Sequence, residues 1–195
     1  LPVHDRTSPR RIGLLGGSFN PAHGGHREIS LAALDRLRLD AVWWLVTPGN
    51  PLKDPADYAA YEDRLHRARM VADHEDIVVS DFEKRRGLQY TVDTLEQIRD
   101  ANPSALFAWL MGADSLAGFH RWKGWRRIVE IAPIAVFNRP GYGEDALAGE
   151  AGETLAPFRL NNERDDLLTA DPPAWVFFDD LDNELSSTAI RNANR

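Results

Sequence analysis

Cysteine is absent from the 195 residues, and with it go disulfide bridges, thiolate metal sites and cysteine nucleophiles. No apolar run approaches the roughly 18 residues that a membrane helix needs. The opening LPVHDRTSPR lacks the apolar core of a secretory signal, so nothing argues for export and a cytoplasmic protein is expected. Position 1 is Leu rather than Met, which places the expected native start upstream. Two familiar glycine signatures are also missing: neither G-x-G-x-x-G nor G-x-x-x-x-G-K-[ST] occurs. The chain shows no internal repeat, heptad run or low-complexity block.

What remains is globular. Hydrophobic residues make up 43 %, with eight Phe and six Trp, enough for one sizeable core. The net charge of −7 hides an asymmetry, because residues 141–185 hold twelve acids against two Arg. That segment carries −10 and the rest of the chain +3. A slightly basic body suits a small anionic ligand, and the acidic stretch argues against a broad nucleic-acid surface. The acids themselves read as a solvated surface segment.

Along the chain, short apolar runs alternate with helical patterns. RIGLL (11–15), AVWWLV (41–46), DIVVS (76–80), ALFAWLM (105–111), IAVFN (134–138) and WVFF (175–178) read as buried strands. Helices are expected over 25–39, over 57–74 with Leu65, Ala68 and Met70 inward, from Thr91 to Asp100, over 125–132, and from Ser187. Thr91 is placed as a cap, with Asp93 in the first turn. The fold class is therefore α/β: a doubly wound parallel sheet flanked by helices, in one domain spanning 11–195 after a tail at 1–10. Ligands of such sheets bind beyond the carboxyl ends of the strands, where the strand order reverses.

The first of those loops is GLLGGSFNPAHGGH, Gly13 to His26. Glycines after a buried strand let backbone approach a ligand closely, and the following helix aims unpaired N–H groups at the same spot. His23 and His26 can each donate a hydrogen bond to a phosphate oxygen. Three other readings stand beside this one: a histidine metal site, glycines serving helix–strand packing, and a dinucleotide loop. The chemistry of the stretch favours an anion at a helix N-terminus.

GGSFNPAHGGH resembles the G-[ST]-F-[DN]-P-x-H-x-G-H box of the HxGH nucleotidyltransferases, and LSSTAIR (185–191) resembles their second box. TPGNPLKD (47–54), YTVDTLEQIR (90–99), MGADSLAGFHRWKGWRRI (111–128) and NRPGY (138–142) are similar to segments of the bacterial nicotinate-nucleotide adenylyltransferases. The likeness runs from about Ile12 to Arg191 and is weakest over the acidic stretch 143–174. It implies a Rossmann-like fold and transfer of AMP from ATP to nicotinate mononucleotide, with release of pyrophosphate.

The resemblance also implies roles. His23, His26 and Arg191 would act on the ATP phosphates, His26 on the α-phosphate in the transition state. Gly17, Ser18 and Phe19 would offer backbone N–H groups to ATP, Asp114 would hold its ribose, and Ser187 and Thr188 would meet the β- and γ-phosphates at the start of a last helix, 187–195. Lys53 would face the mononucleotide phosphate, Thr91 its carboxylate and Trp122 its ring, with Asn50 a further residue of the same substrate site. Leu52 stands where relatives commonly have His. No carboxylate set reads as a Mg²⁺ cage, so Mg²⁺ is expected to arrive on ATP and keep waters. The implied partners are the two small molecules, with neither nucleic acid nor membrane, and assembly into a homo-oligomer is left open. Transfer to another acceptor (nicotinamide mononucleotide or phosphopantetheine), a non-catalytic nucleotide sensor, and a metal-binding protein are the alternatives.

Overall fold

A computed structural model describes residues 9–49, 58–138, 143–160 and 166–181. Six strands form one parallel sheet: β1 (Arg11–Gly17), β2 (Ala41–Val46), β3 (Ile77–Ser80), β4 (Leu106–Gly112), β5 (Ile134–Phe137) and β6 (Trp175–Phe178). Their order across the sheet is β3-β2-β1-β4-β5-β6. The chain moves outward one way through β3 and then returns to the far side of β1, so the order reverses between β1 and β4. Loops leaving those two strands emerge side by side at the carboxyl edge.

The helices are α1 (Gly24–Arg36), α2 (Tyr61–Ala72), α3 (Phe82–Arg86), α4 (Thr91–Ala101), α5 (Ala113–Ala117), α6 (Trp125–Ile131), α7 (Gly143–Ala148) and α8 (Glu150–Leu155). Alternate residues of each strand feed two separate cores, as the two-residue period of a pleated strand requires. Ile12 and Leu14 of β1, with Phe107, Trp109 and Met111 of β4, pack under α4, α5 and α6. Leu15, Trp44, Ala108 and Leu110 face the other way, under α1 and α2. Both faces of the sheet are covered, which is why the strands read as unbroken apolar runs. Among the described residues, no helix is long and apolar enough to cross a membrane.

Several expectations need correction. Met70 points outward, 68 % exposed, because the inward face of α2 is Arg64, Leu65, Ala68 and Ala72. The cap of α4 is Tyr90, which makes no side-chain capping bond, and Thr91 is the first helical residue. The acidic stretch is more than solvated surface: it forms α7 and α8, and buries Ala146, Ala151, Leu155, Leu167 and Leu168. Two of its acids hold basic residues elsewhere in the fold. Asp166 takes a two-pronged contact from Arg11 at 2.6 and 2.9 Å, and Asp180 pairs with Arg36. Each guanidinium holds its carboxyl below the usual carboxylate range. The expected last helix lies outside the described residues.

Candidate active site

The glycine loop begins where β1 meets β4. A side chain at Gly16 would come within 2.4 Å of the Trp109 ring, so here the absence of a Cβ serves packing between neighbouring strands. The chain then turns through Phe19, whose φ of 46° lies in the left-handed region, an uncommon conformation for a bulky residue. Phe19 is buried and stacks on Trp44, with ring centroids 4.9 Å apart, while His26 lies 4.7 Å away on its other contact. Strain at this loop is thereby held by the core beneath it.

α1 starts immediately afterwards with a cap made of two histidines. His23 is the N-cap; its Nδ1 accepts from Gly25 N at 3.1 Å, and the His23 N–H donates to His26 Nδ1 at 3.2 Å. An imidazole that accepts through Nδ1 carries its hydrogen on Nε2. Both rings are therefore set in one tautomer, each with Nε2–H as its donor, and their centroids are 3.9 Å apart. His23 is buried and His26 half-buried. Beneath them Trp44 Nε1 donates to Ser30 Oγ at 2.7 Å, and Ser30 Oγ donates to the His26 carbonyl at 2.8 Å. The first turn of α1 contains no acid, and the positive end of a helix suits an anion.

Arg64 is the residue that sequence reasoning missed. Only 2 % exposed, its guanidinium donates to the carbonyls of Ser18 (2.6 Å), Thr47 (2.9 Å), Pro48 (3.0 Å) and Ala59 (3.1 Å). It lies over the rings of Tyr58 and Tyr61, 5.2 Å from each centroid. One side chain thus joins the loop after β1, the loop after β2 and the entry to α2. Asn20 adds a second tie, its Oδ1 accepting from Ala59 N at 3.1 Å. The signal was present in the sequence: an arginine on the same helical stripe as Leu65, Ala68 and Ala72.

On the other side of the reversal, Asp114 is exposed in the first turn of α5, directly after β4. Gly112 is the N-cap of that helix. Trp122 and Trp125 differ in burial. Trp125 is buried in the core; Trp122 is half-buried, edge-on to Trp109 at 6.3 Å and to Phe119 at 5.3 Å. The Trp122 segment also abuts the first turn of α4. Gly124, at φ +65°, has Val92 side-chain atoms 3.4 Å from where its Cβ would stand, and Lys123 reaches Asp93 at 3.5 Å and lies over Tyr90. Thr91 and Trp122 are therefore on adjoining segments. Asn50, Lys53, Ser187, Thr188 and Arg191 lie outside the described residues. Among the described residues, no group of three or more His, Asp or Glu is arranged to hold a metal ion.

The cytidylyltransferase-like family model matches residues 14–193, nearly the whole chain. The chain belongs to the cytidylyltransferase-like family. Within that family its curated relatives include proteins named "Probable nicotinate-nucleotide adenylyltransferase". The one from Brucella suis is 46 % identical over 92 % of this chain and 93 % of its own. That of Methylorubrum extorquens is 48 % identical over 93 % and 98 %, and that of Cereibacter sphaeroides 48 % identical over 94 % and 98 %. Among solved structures, the Plasmodium falciparum nicotinic acid mononucleotide adenylyltransferase complexed with NaAD superposes with a TM-score of 0.68. It covers 94 % of this chain and 83 % of that one at 15 % identity, a likeness of fold. In this cytidylyltransferase-like chain the glycine loop and the histidine-capped helix stand at the strand-order reversal of the shared fold.

Proposed function

We propose that this chain transfers the adenylyl group of ATP to nicotinate mononucleotide, giving nicotinate adenine dinucleotide and pyrophosphate. The observation that carries the reading is the two-histidine cap at the N-terminus of α1, in a chain whose relatives bear that activity as their name. The acceptor phosphate attacks the α-phosphorus of ATP in line, the bond to the bridging oxygen breaks, and pyrophosphate leaves. A phosphate monoester, with a second pKa of about 6, is already ionised at neutral pH, so the step needs no strong base. It needs alignment of two anions and donors at the place where charge develops.

His26, on the first turn of α1, donates Nε2–H to the α-phosphate oxygens as they gain charge, and His23 supports it from the cap. Gly17, Ser18 and Phe19 bring backbone N–H groups to ATP. Asp114 holds the ribose, and Ser187, Thr188 and Arg191 meet the outer phosphates, which carry Mg²⁺ with them. Thr91 and Trp122, on adjoining segments, take the pyridine ring with its carboxylate, and Lys53 the mononucleotide phosphate, with Asn50 a further residue of the same substrate site.

The test is pyrophosphate release from MgATP with nicotinate mononucleotide and, separately, with nicotinamide mononucleotide. Strong preference for the acid is expected. Turnover of neither substrate would sink the assignment, and equal turnover of both would remove the carboxylate contact from Thr91.

A further inference from the structure

Glu83 is a carboxylic acid buried to 5 % exposure that the reaction above does not use. It sits in α3, between the loop after β2 and the first turn of α4. No cation meets it. The basic residues of α3 are engaged elsewhere: Lys84 with Glu62, Arg85 with Asp81, and Arg86 with Gln97 and the Phe82 ring. From α2, the Arg64 guanidinium is bound to backbone carbonyls and Tyr61 donates to the Val46 carbonyl. The charged residues of α4 are also engaged or exposed: Asp93 with Lys123, Glu96 with Arg127, Arg99 with the Ile131 carbonyl, and Asp100 at the surface. β2 and β3 contain no ionisable side chain.

What does meet Glu83 is a pair of hydroxyls. Thr94 Oγ1 lies 3.1 Å from Oε1, and Thr47 stands beside the same carboxyl. Each hydroxyl also has a backbone carbonyl in donating range: Tyr90 O at 3.2 Å for Thr94, and Gly49 O at 3.1 Å for Thr47. A threonine hydroxyl has one hydrogen, and in a helix it is commonly given to the carbonyl four residues back. Neither hydroxyl can serve its carbonyl and the carboxyl at once; a neutral Glu83 meets the shortage by donating its one hydrogen to the hydroxyl that keeps its own on a carbonyl and accepting from the other. Glu83 Oε2 is buried without a well-formed hydrogen bond, which costs far less for a neutral acid than for a carboxylate.

We infer that Glu83 is held as a neutral acid, hydrogen-bonded between Thr47 and Thr94, and that it positions the acceptor side of the site. Thr47 leads into the loop that carries Asn50 and Lys53, and Thr94 lies one helical turn beyond Thr91. The inference rests on the proposed adenylyl transfer only for which substrate is affected. Burial pushes the Glu83 pKa up, the neighbouring hydroxyls opposing this in part. Raised in the folded state, that pKa makes stability greatest below the unfolded value and lowers it as pH rises towards the folded one.

The experiment compares wild type, E83Q and E83A. E83A should raise KM for nicotinate mononucleotide about tenfold while changing KM for ATP less than about twofold; E83Q, a neutral isostere, should restore KM to within about threefold of wild type. The Tm of E83Q minus that of wild type should grow from acid to alkaline pH. Failure of E83Q to rescue would show that the ionised carboxylate is needed and overturn the inference. So would equal changes in both KM values, or a pH-independent Tm difference. The Tm series needs no substrate, so it stands or falls separately from the assigned reaction.

Discussion

Replacing Arg64 tests whether one buried cation organises two substrate loops. In R64M the carbonyls of Ser18, Thr47, Pro48 and Ala59 lose their shared donor. Water can reach some of them, so about 1 kcal/mol each is a fair net cost, or ~4 kcal/mol in all. For a domain of this size that lowers Tm by about 8–16 °C. Lysine is not a conservative replacement here, because a point charge cannot span four carbonyls that a planar fork reaches. R64K should therefore lose at least about half as much stability as R64M. If re-ordering the two loops costs about 1.4 kcal/mol on binding, KM for each substrate rises about tenfold. Differential scanning calorimetry and initial-rate kinetics on the two variants measure both effects. An R64K protein within about 2 °C of wild type in Tm, with both KM values unchanged, would refute the bridging role.

Other outcomes follow from the same geometry. H26A should lower kcat by about 10²-fold or more with a smaller change in KM for ATP; a pure KM effect would reassign His26 to ground-state binding. G16A drives a methyl into the Trp109 ring, which lies 2.4 Å from the position of that Cβ, and should cost about 1–3 kcal/mol in chemical denaturation; an unchanged midpoint would contradict the close packing of β1 on β4. D166N removes the exposed pair with Arg11. Because Arg11 depresses the Asp166 pKa, the pair's contribution is present above the unfolded carboxyl pKa of 3.8 and lost as pH falls through the folded value. After solvent screening it should amount to less than about 1 kcal/mol, so D166N and wild type converge in acid; a gap that persists there would assign the effect to packing.

The strands were legible because a sheet covered on both faces turns them into short unbroken apolar runs, and AVWWLV and WVFF match their strands residue for residue. Short elements were not: α3 and α5 have five residues each, too few for a helical period to show. A stripe drawn through apolar residues alone carries Met70 inward, because it omits the buried Arg64 of α2. Once that stripe is centred on Arg64, Leu65, Ala68 and Ala72, Met70 falls two residues from Ala68 and Ala72, on the opposite face. At the site, the residue types of the glycine loop pointed to an anion, but only the fold shows that the two histidines cap each other and so fix their own tautomer. Glu83 and Arg64 stayed hidden for a common reason. Their surroundings are backbone carbonyls and hydroxyls from several segments, which leave no charge pattern in sequence.

The central claim concerns where the phosphorus of ATP goes. Incubation with nicotinate mononucleotide and Mg²⁺, using ATP labelled at the α-phosphorus in one sample and at the γ-phosphorus in another, follows it directly. The account predicts that α-label enters a dinucleotide in amounts equal to the γ-label recovered as pyrophosphate. Label at the γ-position passing to the mononucleotide, or no α-label incorporated at all, would contradict it.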